Sequence, residues 1–368
     1  MGYGIKTHLL GYQQYKYLRG PRELSDAMDS RKPLLRYIGW LGHDNIGDEA
    51  LYLAFKRTLF PDCLLMPFYD LSMTSSLAHF KRRRGVVLGG GTLINDDSYL
   101  APLEQAQRSG YTTFVFGTGV GDLEYWSRFP ASNRGNAQRW LSALSKCSYV
   151  GVRGPRSQKW LQQNGIAAAE IVGDAALAFL PPTHPPATAG PPTVALNLGS
   201  HDPVSGGSSR LFEVAVGFSN YLLDKGYRIS YVSMHAIDHD IGSKLASRLR
   251  NDRFSVQPLT PRVDDVLAQL LEAQWVVGQR LHATVLACSL GIPNLSLSYQ
   301  PKCLDFLESI GLEELAVPTD SISLQDLIDR FSHLLTRSAE LRNELNAACS
   351  VLRDRQISTA ARLVSALG

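Results

Sequence analysis

Residues 276–302 read VVGQRLHATVLACSLGIPNLSLSYQPK, and this stretch decides the fold class of the chain. The apolar run up to Gly278 predicts a strand, the segment from about His282 to Gly291 predicts a short helix, and residues 294–297 predict a second strand. A strand, a helix and a strand in this order favour parallel pairing with a right-handed crossover. The stretch therefore predicts an α/β domain built on a parallel sheet.

The same alternation recurs on the N-terminal side of this stretch. Further apolar runs of strand length lie at residues 34–39, 86–88, 113–116, 149–152, 193–198 and 228–233. Loops or helical patterns separate these runs, and the region after residue 323 is mostly helical in pattern. We therefore expect an α/β protein of two Rossmann-like domains facing a cleft, which is lined by the C-terminal ends of both sheets.

Proline marks the boundary between the two domains. Residues 181–192 hold six of the nineteen prolines, so this segment can form neither a helix nor a central strand. We expect an N-terminal extension over residues 1–33, an N-terminal domain over 34–180, a linker over 181–192, and a C-terminal domain with its terminal helices over 193–368.

The composition is that of an ordinary globular protein. Hydrophobic residues make up 44% of the chain, and 37 Lys and Arg against 34 Asp and Glu give a net charge of +3. So small a charge argues against a nucleic-acid partner. The five cysteines include no CxxC pair, which indicates neither a zinc site nor a disulfide framework. No apolar stretch of about 18 residues occurs, so we expect a cytoplasmic protein without a signal peptide or membrane span.

The densest basic cluster, Lys81-Arg82-Arg83-Arg84, directly precedes an apolar run. One interpretation is a solvated entrance to a strand. The other is contact with an anionic acceptor or a lipid headgroup, which would bring the protein to the inner face of the plasma membrane as a peripheral protein. The sequence leaves the oligomeric state open, with a homo-oligomer among the alternatives.

A candidate anion site follows the strand before Gly278. Arg280 and His282 come at the start of the next helix, where backbone amides and the helix dipole favour bound anions. An arginine can fork two oxygens of a phosphate or carboxylate, and a histidine titrates near neutral pH. Lys302 follows the next strand and adds a second cation. We expect a charged ligand at this position.

A second candidate site lies at residues 39–50, GWLGHDNIGDEA, in a loop that enters a helix. Its small and polar residues are Asn45, Gly47, Asp48 and Glu49. Carboxylates in such a place cap free backbone amides, and capping alone is one interpretation. The other is that Asn45 and Asp48 hydrogen-bond sugar hydroxyls, with Asp48 as the base for an attacking hydroxyl. His43 and Asp44 are alternatives for that role.

Glycine runs at residues 89–91 and 117–121 follow two of the predicted strands. They lack the lysine of a P-loop and the GxGxxG spacing of a dinucleotide fold. We expect their backbone, including Gly90 and Gly91, to let a substrate approach closely. Three polar residues follow the first run, and they either contact acceptor hydroxyls or cap a helix: Thr92, Asn95 and Asp96.

Metal-ligand residue types also occur together in the second half of the chain, at His235, Asp238 and His239. A fourth ligand is missing, so we expect no metal site there. We place His235 at the rim of the cleft instead.

Several segments together resemble the polysaccharide pyruvyl transferase family. They are Asn45-Ile-Gly-Asp-Glu-Ala50, Gly89-Gly-Gly-Thr-Leu93, Gly117-Thr-Gly-Val-Gly121, Val152-Arg-Gly-Pro-Arg-Ser157, Val172-Gly-Asp-Ala-Ala-Leu177 and Gly278-Gln-Arg-Leu-His-Ala283. The resemblance spans residues from about 36 to about 310, and Arg-Leu-His-Ala and Asn-x-Gly-Asp-Glu are its most specific parts. Many relatives have Gly-Asp-Pro where this chain has Gly173-Asp-Ala, a change that should alter loop stiffness more than chemistry.

The resemblance implies an architecture similar to that of B-type glycosyltransferases. It also implies phosphoenolpyruvate as the donor, a glycan or lipid-linked saccharide as the acceptor, and a cyclic pyruvate ketal as the product, with no metal or nucleotide cofactor. The family's donor-binding arginine carries over onto Arg153, and its Arg-Leu-His trio onto Arg280, Leu281 and His282. Arg156 is the nearest substitute for Arg153.

The chemistry of such a donor explains these residue types. Phosphoenolpyruvate carries a carboxylate and a phosphate on three carbons, so several cations must hold it in one orientation. Arg153, Arg280 and Lys302 supply them, and we expect the three to converge across the cleft. His282 is the candidate acid that protonates the methylene carbon, and Asp48 is the candidate base.

Two other functions compete with this one. A glycosyltransferase of similar architecture would use a nucleotide sugar, but it usually has a carboxylate for the donor ribose where this chain has Gln300-Pro-Lys302. A non-catalytic sugar-binding protein is the second alternative, since fold alone does not determine function. The presence of both Arg280 and His282 counts against it.

Overall fold

The computed structural model describes residues 31–68, 83–122, 124–125, 136–179, 191–199 and 207–367. The chain divides into two compact units. The first comprises Met1–His43, Asp48–Ala178 and Arg353–Gly368, and the second comprises Asp44–Gly47 and Phe179–Leu352. Most of the predicted N-terminal extension and of the proline-rich linker lies outside the described residues.

The first unit contains a parallel sheet made from short apolar runs. Its strands are β1 Leu34–Ile38, β2 Leu64–Pro67, β3 Arg84–Leu88, β4 Gly91–Ile94, β5 Thr112–Val120, β6 Tyr149–Val152 and β7 Glu170–Ile171. Their order is β2-β1-β3-β5-β6-β7, with β4 paired to β5, and every pair is parallel. Every residue of β1 and β2 is buried, which is typical of parallel strands covered on both faces.

Helices connect these strands, and capping residues begin two of them. They are α1 Ile46–Ala54, α2 Asp97–Arg108, α3 Ala137–Leu144 and α4 Pro155–Gln163. A π-helical turn, Phe55–Leu59, continues α1, and a 3-10 turn covers Ala175–Ala178. Asp96 accepts a hydrogen bond from the amide of Ser98 and so caps α2. Helix capping was one of the two roles that we predicted for this residue. Asn136 caps α3 in the same way.

The second unit contains the strand order of a dinucleotide-binding Rossmann fold. Its strands are β8 Thr193–Asn197, β9 Arg228–Tyr231, β10 Phe254–Val256, β11 Trp275–Gly278, β12 Asn294–Ser298 and β13 Ala316–Pro318. Their order is β10-β9-β8-β11-β12-β13, again with all pairs parallel. Its helices are α5 Gly207–Asp224, α6 Ala236–Leu249, α7 Val263–Leu271, α8 Leu281–Ser289, α9 Pro301–Ser309, α10 Leu324–Thr336 and α11 Ser338–Ser365, with a 3-10 turn at Glu313–Leu315.

Both sheets reverse their order at one point, and open α/β sheets bind ligands beyond the strand ends at such a point. In the first unit the reversal lies between β1 and β3. Ile38 pairs with Leu88, so the loops that begin at Gly39 and Gly89 leave the sheet side by side. In the second unit the reversal lies between β8 and β11, whose last residues pair with each other. The loop at Arg280 therefore leaves the sheet at a position suited to a ligand.

The helix after β11 is unusually well anchored. In α8 every residue but one is buried, and the exception is His282. A helix that is apolar on all sides belongs to the interior of a protein. Its first turn is therefore a rigid support for Arg280 and His282.

The C-terminal helix α11 belongs to both units, and this differs from the domain boundaries expected from the sequence. The segment Arg353–Gly368 clusters with the first unit. Arg353 Nε donates to the carbonyl of Leu177 at 2.9 Å, and Gln356 Nε2 donates to the carbonyl of Asp174 at 2.8 Å. These buried hydrogen bonds attach the last part of α11 to the segment that follows β7 in the first unit.

The glycine runs also differ from the loops that we predicted. The strand β5 continues through Val120, so most of the run 117–121 is strand, and Gly91 begins β4. These residues form strands because β4 pairs with β5: Gly91 lies opposite Thr118, and Ile94 lies opposite Val120. Thr92 accordingly lies in a strand and does not cap a helix.

Candidate active site

The loop after β1 is held by its own side chains. Glu49 Oε1 accepts a hydrogen bond from the amide of Gly42 at 3.0 Å. Asn45 Oδ1 accepts from the amide of Gly47 at 3.1 Å, in a turn that asparagine commonly forms. Asp44 has φ 54°, in the left-handed region that aspartate tolerates better than most residues. Glu49 and Asn45 therefore shape the loop in addition to any contact with a ligand.

Asp48, the predicted base, is buried beside Gly91. It is 9% exposed, and a Cβ placed on Gly91 would lie 3.6 Å from its Oδ1 atom. Burial raises the pKa of Tyr37 well above its usual range, and the negative charges of Asp48 and Asp174 raise it further. Tyr37 therefore stays protonated at neutral pH.

Sequence reasoning missed two members of this group. Asp174 is fully buried and belongs to a motif quoted above, although we assigned it no role. Tyr37 lies in β1, and a tyrosine within an apolar strand gives no sign of its electrostatic surroundings. The raised pKa of Tyr37 and the burial of both residues are visible in the structure alone.

Arg153, the predicted donor-binding arginine, follows β6 and is fully buried. Its Nη1 donates to the carbonyl of Gly91 at 3.1 Å, and its Nη2 donates to Thr92 Oγ1 at 3.3 Å. Gly119 leaves room for the guanidinium, because a Cβ at that position would overlap Nη2. We predicted that the run 117–121 lets a substrate approach, but here it accommodates an arginine of the protein itself.

The first unit thus joins one predicted donor residue to several predicted acceptor residues. Arg153 contacts Gly91 and Thr92, and Gly91 in turn lies beside Asp48. Gly90 is buried against the side chain of Leu51, so it packs in the core. Arg156, the predicted substitute for Arg153, is exposed in the first turn of α4.

Asn95, just after β4, combines an uncommon backbone conformation with burial. Its φ is 75°, in the left-handed region, and its side chain is 5% exposed. Nδ2 donates to the carbonyl of Gly121 at 3.1 Å. Among the described residues, Oδ1 has no hydrogen-bond partner, and a buried amide oxygen without a partner is costly. Backbone strain of this kind is common at functional sites.

In the second unit, Arg280 forms a bidentate ion pair with Asp238. Arg280 Nη2 lies 2.6 Å from Asp238 Oδ1, and Nε lies 3.2 Å from Oδ2. Asp238 is fully buried, and the Arg280 side chain is 15% exposed. Burial lowers the pKa of Arg280, but hydrogen bonding and attraction to Asp238 outweigh this effect and leave the pKa raised. The guanidinium is therefore charged and fixed in one orientation.

The ion pair occupies one edge of the guanidinium and leaves the other available. Nε and one Nη2 proton bind Asp238, while Nη1 has no hydrogen-bond partner among the described residues. Guanidinium carries five protons in a planar fork, so the Nη1 and Nη2 ends can still donate two parallel hydrogen bonds. Asn197 supports the arrangement, because its Oδ1 accepts from the amide of Arg280 at 3.0 Å.

His282, the predicted acid, packs against Gly47. A Cβ placed on Gly47 would overlap His282 Nδ1, so only glycine leaves room for the ring. Both residues cluster with the second unit, as does Ile46, whose amide donates to the carbonyl of Met234 at 2.9 Å. Two motifs separated by more than 200 residues of sequence therefore meet at one imidazole.

Lys302 and Leu281 complete the predicted donor residues. Lys302 Nζ lies 5.1 Å from the centroid of the Tyr299 ring, in a cation–π contact. Leu281 is 5% exposed, so its side chain belongs to the core and its backbone amide at the start of α8 is what a ligand could reach. Arg153 belongs to the first unit and Arg280 to the second. The convergence of the three cations stays a prediction.

Two of the three residues considered as metal ligands, His235 and Asp238, have structural partners. His235 caps α6, since its Nδ1 accepts from the amide of Ile237 at 3.2 Å, and Asp238 is bound to Arg280. Within the part of the chain that the structure describes, no three His, Cys, Asp or Glu side chains are grouped as metal ligands.

The basic cluster at residues 81–84 is only partly described. Arg83 donates to the carbonyl of Leu367 near the end of the chain, and Arg84 lies over the Tyr111 ring at 4.9 Å. Lys81 and Arg82 lie outside the described residues. Across the described segments, no helix has both the length and the apolar character needed to cross a bilayer.

Comparison with solved structures supports the predicted architecture. UDP-GlcNAc 2-epimerase from Neisseria meningitidis, bound to UDP-GlcNAc, has a TM-score of 0.53 and 11% identity, with 90% of this chain and 98% of that chain covered. The UDP-GlcNAc 2-epimerase from Methanocaldococcus jannaschii has a TM-score of 0.53 and 12% identity, over 82% and 92% of the two chains. At these identities the likeness concerns the fold alone. It confirms two parallel-sheet α/β domains with an architecture like that of B-type glycosyltransferases.

Sequence comparison gives the family. The amylovoran biosynthesis protein AmsJ of Erwinia amylovora is 21% identical over 231 residues, which cover 56% of this chain and 55% of AmsJ. The match thus spans about half the length of that relative. Residues 45–301 match the polysaccharide pyruvyl transferase family, and this segment contains Asp48, Arg153, Arg280 and His282. The chain therefore belongs to the polysaccharide pyruvyl transferase family, as its motifs predicted.

Proposed function

We propose that the protein transfers the pyruvyl group of phosphoenolpyruvate onto two hydroxyls of a saccharide, forming a cyclic ketal and releasing phosphate. Membership in the family supports a transferase role in polysaccharide biosynthesis, with a donor and a glycan acceptor. The observation that carries the proposal is the fixed guanidinium of Arg280. Asp238 holds one of its edges, and the other edge is available two residues before His282.

The donor is a small trianion, and the second unit supplies groups that suit it. The available edge of Arg280 matches the two oxygens of a carboxylate or phosphate. The first free amides of α8 add partial positive charge, and Lys302 is a second cation in the same unit. In our proposal Arg153 is the third.

The reaction proceeds by proton transfer and displacement at one carbon. His282 donates a proton to the methylene carbon, which becomes a methyl group, and a sugar hydroxyl forms a bond to the adjacent carbon. The bond from that carbon to the phosphate oxygen breaks, and the phosphate leaves with the electron pair. A second hydroxyl then closes the ketal. The two hydroxyl protons restore His282 and protonate the departing phosphate, so the reaction needs no oxidant or reductant.

The first unit supplies groups that suit the acceptor. Asp48 is the base that accepts the proton of an attacking hydroxyl and passes it on to the departing phosphate. Its charge and burial raise the pKa of Tyr37, so that phenol is protonated. Asn95 has a buried oxygen that can accept a hydrogen bond from a sugar hydroxyl. The acceptor in this proposal is a glycan or a lipid-linked saccharide, and no metal or nucleotide takes part.

The test compares the wild-type protein with His282→Ala in buffer containing EDTA. Each is incubated with phosphoenolpyruvate and a panel of glycosides, and phosphate release and acceptor mass are measured. We expect the variant to lose about 100- to 10,000-fold in rate, the range typical of a positioned acid. Phosphoenolpyruvate should still raise the melting temperature of both proteins, because a bound ligand stabilises the folded state.

Three results would contradict the proposal. A wild-type rate in His282→Ala would remove the assigned acid. Stabilisation by a nucleotide sugar, with none by phosphoenolpyruvate, would favour glycosyl transfer instead. Activity that disappears in EDTA and returns with a divalent cation would contradict the metal-free reaction.

A further inference from the structure

Trp40 is an exposed aromatic side chain in the loop that follows β1. Its exposed fraction is 44%. Tryptophan is highly buried on average, so an exposed indole is more informative than an exposed leucine. The other large hydrophobic side chains that are exposed among the described residues are all aliphatic. Trp40 therefore stands out as a candidate contact for a ligand.

One face of the indole is already covered. The rings of Trp40 and His43 are stacked with their centroids 3.8 Å apart and an interplanar angle of 16°. No solvent fits between rings at that distance, so the exposed surface of Trp40 lies on its other face and its edge. The stack thus presents one flat apolar face.

The loop holds this face in place. Leu41, between the two rings in sequence, is 7% exposed and anchors the loop in the core. Gly42 has φ 79° and donates its amide to Glu49, which fixes the turn that brings His43 back under Trp40. A preformed face loses little entropy when a ligand binds.

Trp40 lies at the edge of the sheet from which the loop with the predicted acceptor residues Gly90 and Gly91 also leaves. Trp40 follows Gly39 directly after β1. Because Ile38 of β1 pairs with Leu88 of β3, Gly39 lies next to Gly89, where the loop that leads to Gly91 begins. Asp48, the proposed base, lies beside Gly91. The aromatic face and the base therefore occur at the same edge of one sheet.

We propose that Trp40, supported by His43, is the platform on which a pyranose ring of the acceptor saccharide lies. A pyranose has faces rich in C–H groups and a rim of hydroxyls, so it can cover the apolar indole while its hydroxyls bind polar groups of the same loops. This inference rests on the proposed function, because it assigns a binding surface to the acceptor of that reaction.

The experiment measures sugar binding separately from turnover. Methyl glycosides of glucose, galactose, mannose and N-acetylmannosamine are titrated against the full-length protein without phosphoenolpyruvate, and ligand-observed saturation-transfer NMR gives Kd. These probes have no aromatic group of their own. We expect Trp40→Ala to weaken binding of the preferred glycoside about tenfold, as one lost aromatic contact predicts, and Trp40→Phe to recover most of it. The control is Ile357→Ala, which truncates another exposed hydrophobic side chain in the first unit and should leave Kd unchanged.

The outcomes separate the platform from the transfer reaction. Binding that depends on Trp40 in a protein without pyruvyl transfer would keep the platform and overturn the proposed function. Turnover with equal acceptor KM in wild type and Trp40→Ala would overturn the platform and keep the function. Failure of the wild-type protein to bind any of the glycosides would also overturn the platform.

Discussion

At Arg280, two opposing effects of the Asp238 carboxylate decide what Asp238→Asn does. The donor would bind the opposite edge of the guanidinium, so removing the negative charge relieves its repulsion by about 1 kcal/mol at a separation of roughly 8 Å and an effective dielectric constant of about 40, between the values for a protein site and for water. Releasing the arginine from its bidentate partner costs about 2 kcal/mol in side-chain entropy when the donor binds. The second effect is larger. We expect the KM for phosphoenolpyruvate to rise about 5-fold, measured by phosphate release at saturating acceptor.

A matched variant separates orientation from charge. Asp240 is exposed on the same helix as Asp238, so Asp240→Asn makes the same change in net charge without touching Arg280. We expect its KM to stay at the wild-type value. An unchanged KM in Asp238→Asn, or the same change in both variants, would mean that the ion pair does not position the arginine for the donor.

The contact between Gly47 and His282 predicts a second effect at the scale of single residues. Gly47 lies in the first turn of α1 and has an ordinary backbone conformation, so alanine there should not destabilise the helix. Its methyl group would overlap the imidazole, and the ring would have to move. We expect Gly47→Ala to lower kcat by about 100-fold, the lower end of the contribution of a positioned acid, with phosphoenolpyruvate binding retained.

The double variant tests whether this effect acts through the imidazole. In a His282→Ala background the ring is absent, and only the Cβ of residue 282 remains, 2.8 Å from the added methyl group. Adding Gly47→Ala should therefore cost far less than its effect of about 100-fold in the wild-type background. Additive losses in kcat would show that Gly47 acts by another route. Melting temperatures of all three variants are measured in parallel to separate loss of activity from loss of folding.

At the scale of elements, α11 stabilises the first unit through Gln356. Its Nε2 donates to the carbonyls of Val172 and Asp174, and the residue is fully buried. In Gln356→Leu both carbonyls lose this donor, and an unsatisfied buried group costs about 1–3 kcal/mol. We expect denaturant unfolding to show a loss of about 2 kcal/mol, with faster amide exchange in β6 and β7.

Ile357 offers the control for this loss, because it is the next residue of α11 and is exposed. Ile357→Ala should change stability by less than about 0.5 kcal/mol, as surface substitutions usually do. Equal losses in the two variants would mean that the helix, and not the buried amide, is what the substitutions disturb.

The strands that sequence reasoning predicted are those with clear apolar runs between glycine-rich segments. The run 34–39 became β1, and the run 294–297 became β12. Five short strands were missed, and they are β2, β4, β7, β10 and β13. Each has two to four residues, which is too short for a periodic pattern, and their pairing depends on neighbours far away in sequence.

The candidate site was predictable where a motif names its residues and not where packing assembles them. Arg280 and His282 follow a strand at a helix start, and this local pattern was enough to single them out. Asp238 was considered only as a metal ligand, because its pairing with Arg280 joins residues 42 positions apart. The role of Gly119 in accommodating Arg153 likewise depends on the continuation of β5, which the sequence did not reveal.

At the scale of the whole molecule, the two units share one design. Each is a parallel sheet with a single reversal of strand order, and loops at that reversal carry motif residues, Gly89–Gly91 in the first unit and Arg280 in the second. The long helix α11 begins in the second unit and ends in the first, so the chain connects the units at both ends of the second. The short segment Asp44–Gly47 also clusters with the second unit, which is why Gly47 lies beside His282.

One buried thiol and one partly buried thiol in the first unit make the stability of the molecule depend on pH in the alkaline range. Burial raises the pKa of Cys63 to about 12 and that of Cys147 to about 11, whereas an unfolded cysteine ionises near about 8.5. Above that pH the unfolded chain loses these protons while the folded chain retains them, so stability is greatest below about pH 8.5 and falls as the pH rises toward 11. We expect the free energy of unfolding from denaturant titrations to fall between pH 8 and pH 10, by up to about 1.4 kcal/mol per pH unit for each thiol.

The variant Cys147→Ala tests this assignment, because it removes one of the two thiols. Its fall in the free energy of unfolding should be smaller than that of the wild type by about 1 kcal/mol, a reduced value because the Cys147 thiol is partly exposed and screened by solvent. An identical fall in the variant would contradict the assignment of this pH dependence to Cys147.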